Sequence, residues 1–212
     1  MINLYIDTSS KDVSIAIIKD NQIISKRFES IPNEHSVYTV SYVDEVLKEA
    51  NLKPNDIDKI MVVNGPGSFT GIRIGLTIAK VYAYLLNKEI ITISSLKALA
   101  LSTKGEYILS LINAKHNNYY YALYDKDYNE VVKEQFNNKE NLLNIIKEYN
   151  PILISDEELD IDGNLVNKVS YNYQNIVKYH KSCSSLNPHQ VVPNYLKLPQ
   201  ALEDRKWLEK LN

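Results

Sequence analysis

Residues 64–80 read NGPGSFTGIRIGLTIAK, and Gly65, Pro66, Gly67 and Gly71 break two apolar runs there. The run before it, IDKIMVVN, is short and rich in β-branched residues, which predicts a strand. The run after it predicts a helix, because Ile74, Ile78, Val81, Tyr82 and Leu85 recur on one face. Ser68 or Thr70 stands where an N-cap hydroxyl accepts a free amide of the first turn. A strand, a glycine-rich turn and a helix N-terminus form a natural anion cradle. The same glycines also suit a tight turn for backbone reasons alone. Spacing leaves both readings open.

This helix carries a second pattern. Gly71, Gly75, Ala79 and Ala83 are spaced by four and share one small-residue face. Ile72, Leu76, Val81 and Leu86 flank it, leaving Arg73, Thr77, Lys80 and Tyr84 as a polar stripe. A helix apolar over so much of its circumference is buried on more than one side. One side is expected on its own sheet, the other against a second helix of this chain or of a partner.

Upstream, residues 2–10 (INLYIDTSS) predict a buried strand ending in Asp7, Thr8 and Ser9. Two more strands follow, joined through Asp20 and Asn21, as an antiparallel meander. The acidic and hydroxyl groups at Asp7–Ser9 suit a phosphate or a metal-bound water, and equally suit a capped turn. Residues 34–51 predict a helix with Val37, Val40, Val43 and Leu47 on its core face and Asn51 and Pro54 at its end. His35, a lone histidine at its start, reads as a capping or packing residue.

Downstream, residues 89–95 predict a strand and SLKALALS a short helix, closing a first lobe near residue 102. YILSLINA, NNYYYALYD and EVVKEQF start a second meander, followed by a helix over 139–149 and a strand over 151–156. The order β-β-β-α-β thus occurs twice, which predicts two related lobes, residues 1–102 and 103–212. Tyr119 to Tyr121 read as sheet packing rather than a base-stacking platform. Residues 157–187 show weak periodicity. DIDGN there is too short for a calcium loop, and His180, Cys183 and His189 lack a fourth ligand for zinc. The tail predicts an extended piece, a stop at Pro199 and a terminal helix, which would pack back on the first lobe.

The 212 residues are 44% hydrophobic and 24% charged, with a net charge of −2, ordinary for a globular chain. No basic stretch makes a nucleic-acid footprint, which argues against autonomous tight RNA or DNA binding. A single cysteine excludes an internal disulfide and, with no apolar leader or membrane-length run, predicts a cytoplasmic protein.

IDTSS, NGPGSFTGIRIG, ITISSLKALA and PNYLKLP, in that order along almost the whole chain, closely resemble the TsaB (YeaZ) family. The resemblance implies an α/β, actin-like ASKHA fold of two related lobes, each a mixed sheet flanked by helices. It implies a part in making threonylcarbamoyladenosine beside the anticodon of tRNA, as a non-catalytic scaffold or activator of the paralogue TsaD, with the ATPase TsaE. TsaD carries an H-x-x-x-H metal motif where this chain has Ser95 and Leu99, and neither side chain replaces an imidazole ligand. No catalytic residue, metal or cofactor is therefore expected here, and ATP binding is expected to be weak or absent. Asp7, Thr8, Ser9, Gly65, Gly67, Ser68 and Thr70 would form a vestigial phosphate or nucleotide loop. Val40, Val43, Leu47, Gly71, Gly75, Ala79 and Ala83 would form the partner interface, used for a homodimer when the chain is alone. Transfer RNA would be met only through the complex, and no membrane is involved. Asn113, Ala114 and Lys115 stand where many members have D-A-R. The rival readings are an independent ATP-using ASKHA transferase or kinase with Asp7 as base, and a glycoprotease. A kinase would show a second glycine-rich loop in the second lobe, and the protease motifs are missing.

Overall fold

The computed structural model describes residues 1–181 and 183–197. In the first lobe, β1 (Ile2–Asp7), β2 (Asp12–Lys19) and β3 (Gln22–Ser30) form the meander. Helix α1 (His35–Glu49), β4 (Lys59–Gly65), α2 (Phe69–Leu85) and β5 (Glu89–Ser94) follow. The sheet order is β3-β2-β1-β4-β5, with β1, β4 and β5 parallel. Parallel neighbours need crossovers, which α1 and α2 supply. Helix α3 (Ser95–Ala100) leads into the second lobe: β6 (Tyr107–Asn113), β7 (Asn118–Asp125), β8 (Glu130–Asn138), α4 (Lys139–Tyr149) and β9 (Ile152–Ser155). β6 pairs antiparallel with β7 and parallel with β9, as β1 does with β2 and β4. The repeated order read from the sequence is therefore a repeated topology.

The stretch with weak periodicity holds β10 (Leu159–Ile161), β11 (Asn164–Lys168) and α5 (Tyr173–His180). The two strands extend the second sheet to β10-β11-β9-β6-β7-β8. Helix α5 instead packs on the first lobe, where Tyr173, Ile176 and Val177 join Tyr5, Ala16, Met61 and Ile93 in one core. The hydroxyls of Tyr173 and Ser14 share a hydrogen bond there. The chain then straps the first lobe. Leu186 N donates to Ile90 O (2.8 Å) and Asn194 N to Asn64 O (2.8 Å), while Lys80 Nζ donates to Val191 O (3.1 Å). A boundary at residue 102 thus separates the sheets but not the chain. The expected terminal helix lies outside the described residues.

Both helices of the first lobe are turned differently from expectation. On α1 the buried residues are His35, Thr39, Val43, Val46 and Leu47, while Val37 and Val40 are exposed at 67% and 49%. The inward face begins on polar groups that are satisfied locally. His35 Nε2 lies 2.9 Å from Ser10 O, and Thr39 Oγ1 donates to His35 O at 2.6 Å. On α2 the inward face is Gly71, Gly75, Ala79 and Ala83 with Ile72 and Leu76. Val81 and Leu85, read from the sequence as part of one apolar face, are exposed. Small side chains let α2 settle directly onto the end of β1. A Cβ on Gly71 would collide with Thr8 O, and one on Gly75 with Thr8 Oγ1. Val43, Leu47, Ala79 and Ala83 are therefore buried in one core with Leu4, Ile6 and Val62, and Gly71 and Gly75 are buried against Thr8. Of the expected interface residues only Val40 reaches the surface. The outward stripe is instead Val37, Tyr38 and Val40 on α1 with Val81, Tyr84 and Leu85 on α2.

Candidate functional site: the cleft between the lobes

A cleft of about 660 Å3 separates the lobes. Ser9, Lys11, Gly67, Ser68 and Thr70 stand on its first-lobe wall, and Asn113, Lys115, Tyr120, Asp156 and Glu157 on its second-lobe wall. Asp7, Thr8 and Gly65 do not line it. They lie behind the wall, and the hydrogen bonds explain why.

Strand β1 is buried along its length, so the carboxylate at its end needs local donors. Asp7 Oδ1 accepts from Ser9 N (2.8 Å) and Ser9 Oγ (2.7 Å). The phenols of Tyr5 and Tyr171 also donate to Asp7. Burial raises the Asp7 pKa above the ordinary carboxyl range, and the Ser9 hydrogen bonds oppose that rise. Thr8 Oγ1 donates to Gly71 O at 2.7 Å, tying β1 to the first turn of α2.

The glycine-rich loop is docked against the same turn. Ser68 N donates to Ser9 O at 2.6 Å, and any Cβ on Gly67 would run into that same carbonyl oxygen. Ser68 is the N-cap, its Oγ accepting from Gly71 N at 3.2 Å; Thr70 lies inside the helix. The amides Ser68 N and Gly71 N thus have protein partners. Close approach between two turns accounts for the glycines.

Behind the loop, Ser95 Oγ donates to Pro66 O, and Leu99 is fully buried among Ile108, Ala122 and Ile154. Neither side chain faces the cleft. No group of three His, Cys, Asp or Glu side chains converges among the described residues. His180 is buried on α5 with Nδ1 2.8 Å from Ile176 O, and His189 packs edge-on against Tyr84, consistent with loop and packing roles. Tyr119 and Tyr121 are core residues of the second sheet, as expected.

The cleft's strongest electrostatic feature lies on the second lobe and was missed in the sequence. Asp156, just past β9, has its pKa pushed up to about 6 by burial, with Glu157 and Asp7 adding to the rise. PILISD ends like INLYID, an apolar strand followed by an acid, and that likeness was the available signal. Lys11 and Lys115 are the ammonium groups of the cleft lining. Tyr171, which hydrogen-bonds Asp7, sits in a stretch with no periodic pattern to mark it.

The family model for TsaD, tRNA N6-adenosine threonylcarbamoyltransferase, matches residues 22–196. The tRNA threonylcarbamoyladenosine biosynthesis protein TsaB of Bacillus subtilis (strain 168) is 29% identical over 230 residues, covering 99% of each chain. The protein of the same name from Escherichia coli (strain K12) is 31% identical over 132 residues, 60% of this chain and 57% of that one. Among solved structures, YeaZ from Pseudomonas aeruginosa matches with a TM-score of 0.78 at 19% identity, over 92% of this chain and 99% of that one.

Proposed function

The chain belongs to the TsaB family, with its two-lobed actin-like ASKHA fold and its part in tRNA threonylcarbamoyladenosine biosynthesis, and we propose that it acts there as a non-catalytic partner of a TsaD transferase. The observation that carries this reading is the state of the cleft wall. Asp7, Thr8, Ser9 and Ser68 spend their hydrogen-bonding groups on one another and on α2. A phosphate seated on Ser9 or Ser68 would compete with those bonds, each worth about 1 kcal/mol. ATP and metal then belong to partner subunits, the transferase and the ATPase TsaE. The protein works in the cytoplasm and meets tRNA only through the complex.

The partner surface in this reading is the exposed apolar stripe of α1 and α2. Val37, Tyr38, Val40, Val81, Tyr84 and Leu85 on these two helices have 38% to 72% of their area exposed, and exposed apolar surface of this kind marks protein contacts where it is contiguous. The same stripe joins two copies into a homodimer when TsaD is absent. The test is co-purification with the cognate TsaD, followed by threonylcarbamoyl transfer assays omitting each component in turn. Transfer by the single chain, abolished by Asp7→Ala, would overturn the reading.

A further inference from the structure

The chain leaves the first lobe between α3 and β6 and returns to it between β11 and α5. These two crossings meet. Asn172 N donates to Ser102 Oγ (3.0 Å) and Asn175 Nδ2 to Leu101 O (3.0 Å), which places both at the C-terminal end of α3. Two bodies joined at one place have a hinge there, and contacts elsewhere must set its angle. Residues 189–195 supply such contacts. They run beside α2 in the opposite direction, from its last turn to its first. His189 packs on Tyr84 (ring centroids 5.5 Å), Val191 O accepts from Lys80 Nζ (3.1 Å), and Tyr195 Oη accepts from Arg73 Nε (2.7 Å) while its ring stacks on Phe69 at 5.3 Å.

One residue of this strap faces both lobes. The backbone of Asn194 is tied to the first sheet, its N donating to Asn64 O at 2.8 Å, and Asn64 Nδ2 reaches back to Val192 O (3.4 Å). Its side chain crosses to the second sheet, where Nδ2 donates to Glu134 Oε2 on β8 at 2.8 Å. Glu134 Oε1 accepts from Tyr124 Oη on β7 (3.2 Å). Ser94, at the end of β5, hydrogen-bonds the same carboxylate; its oxygen caps α3, and its hydrogen is left to donate. Ser94 and Leu101 are the two caps of α3, about 10 Å apart along the helix, so the tie at Glu134 stands away from the crossings. We propose that residues 189–195 are a lock on the lobe angle, with Asn194 and Glu134 as its clasp. The clasp holds the cleft at one width. Its sense is one-way, an amide giving and a carboxylate receiving, and the charge makes it stronger than a neutral bond.

The test measures the distance between spin labels on opposite walls of the cleft, in the full-length protein, by double electron–electron resonance. The labels are carried by Ser36→Cys and Asn113→Cys, both exposed cleft positions, in a Cys183→Ser background. The clasped protein should give one narrow distance distribution. Asn194→Asp sets a second carboxylate against Glu134 and should broaden it. Asn194→Ala removes the donor without adding a charge and should broaden it less. Adding Glu134→Gln to Asn194→Asp again sets an amide against a carboxylate, with the roles exchanged, and should bring back the narrow distribution. Circular dichroism should stay parental throughout. A broad distribution in the parent, an unchanged one in Asn194→Asp, or one that stays broad in the exchanged pair would each overturn the lock. Loss of the parental spectrum in Asn194→Ala would overturn it too, because the strap would then hold the fold rather than the angle.

Discussion

Replacing Asp156 with asparagine should stabilise the protein at neutral pH and remove part of its pH dependence. Its carboxyl pKa is raised from 3.8 to about 6, so the folded state holds the proton more tightly than the unfolded chain. Below pH ~3 both states are protonated and the group contributes nothing. As pH rises toward 6 the unfolded chain ionises first, and folding loses stability until the folded carboxyl also ionises. Above that point the cost is constant at up to about 3 kcal/mol, each pKa unit being worth ~1.4 kcal/mol. Asparagine keeps the shape without the charge. At pH 7.5 Asp156→Asn should therefore raise the unfolding free energy by roughly 2–3 kcal/mol and Tm by about 5–10 °C for a chain of this size. Urea titrations followed by circular dichroism at pH 4.5, 6 and 7.5 read this directly. The gap between variant and parent should widen with pH across the series. A variant no more stable than the parent at pH 7.5, or a gap independent of pH, would refute burial as the origin of the raised pKa.

Gly67→Ala should cost about 3 kcal/mol or more, seen as a fall in Tm, because the new methyl group runs into Ser9 O; an unchanged Tm would contradict the docking of the two turns. Ala79→Arg should prevent folding, since that position is fully buried. Leu85→Arg should fold normally, with a parental circular dichroism spectrum, and fail to co-purify with TsaD. Calorimetry with ATP should give no saturable heat with a low-micromolar dissociation constant, a free energy of about −8 kcal/mol.

The doubled β-β-β-α-β order is legible because the inner strands are short apolar runs bounded by turn residues. The glycine-rich stretch was placed correctly between strand and helix for the same reason. Helix rotation was not legible. On α2 almost every apolar residue fits some face, and glycine and alanine do not announce whether close approach is to the chain itself or to a partner. On α1 the inward face opens on His35 and Thr39, polar residues that a hydrophobic pattern assigns to solvent, so Val37 and Val40 were drawn inward in their place. Asp7 was recognised as a site candidate, but its partner Tyr171 is 164 residues away, and sequence periodicity carries no information at that range. Asp156 is hard to single out in the sequence, because an acid after a strand ordinarily marks the surface.

The return of α5 to the first sheet bears on how the protein is made. Ser14 and Tyr173, joined by hydrogen bond, are 159 residues apart, and the face formed by Tyr5, Met61 and Ile93 is sealed only when α5 arrives. On the ribosome, synthesis runs from the N-terminus at about 5–20 residues per second. The first sheet must therefore wait several seconds with one apolar face uncovered while the entire second lobe is translated. Helix α5 thus completes a first-lobe core from beyond the second lobe, and a nascent chain halted at residue 102 would leave that face uncovered.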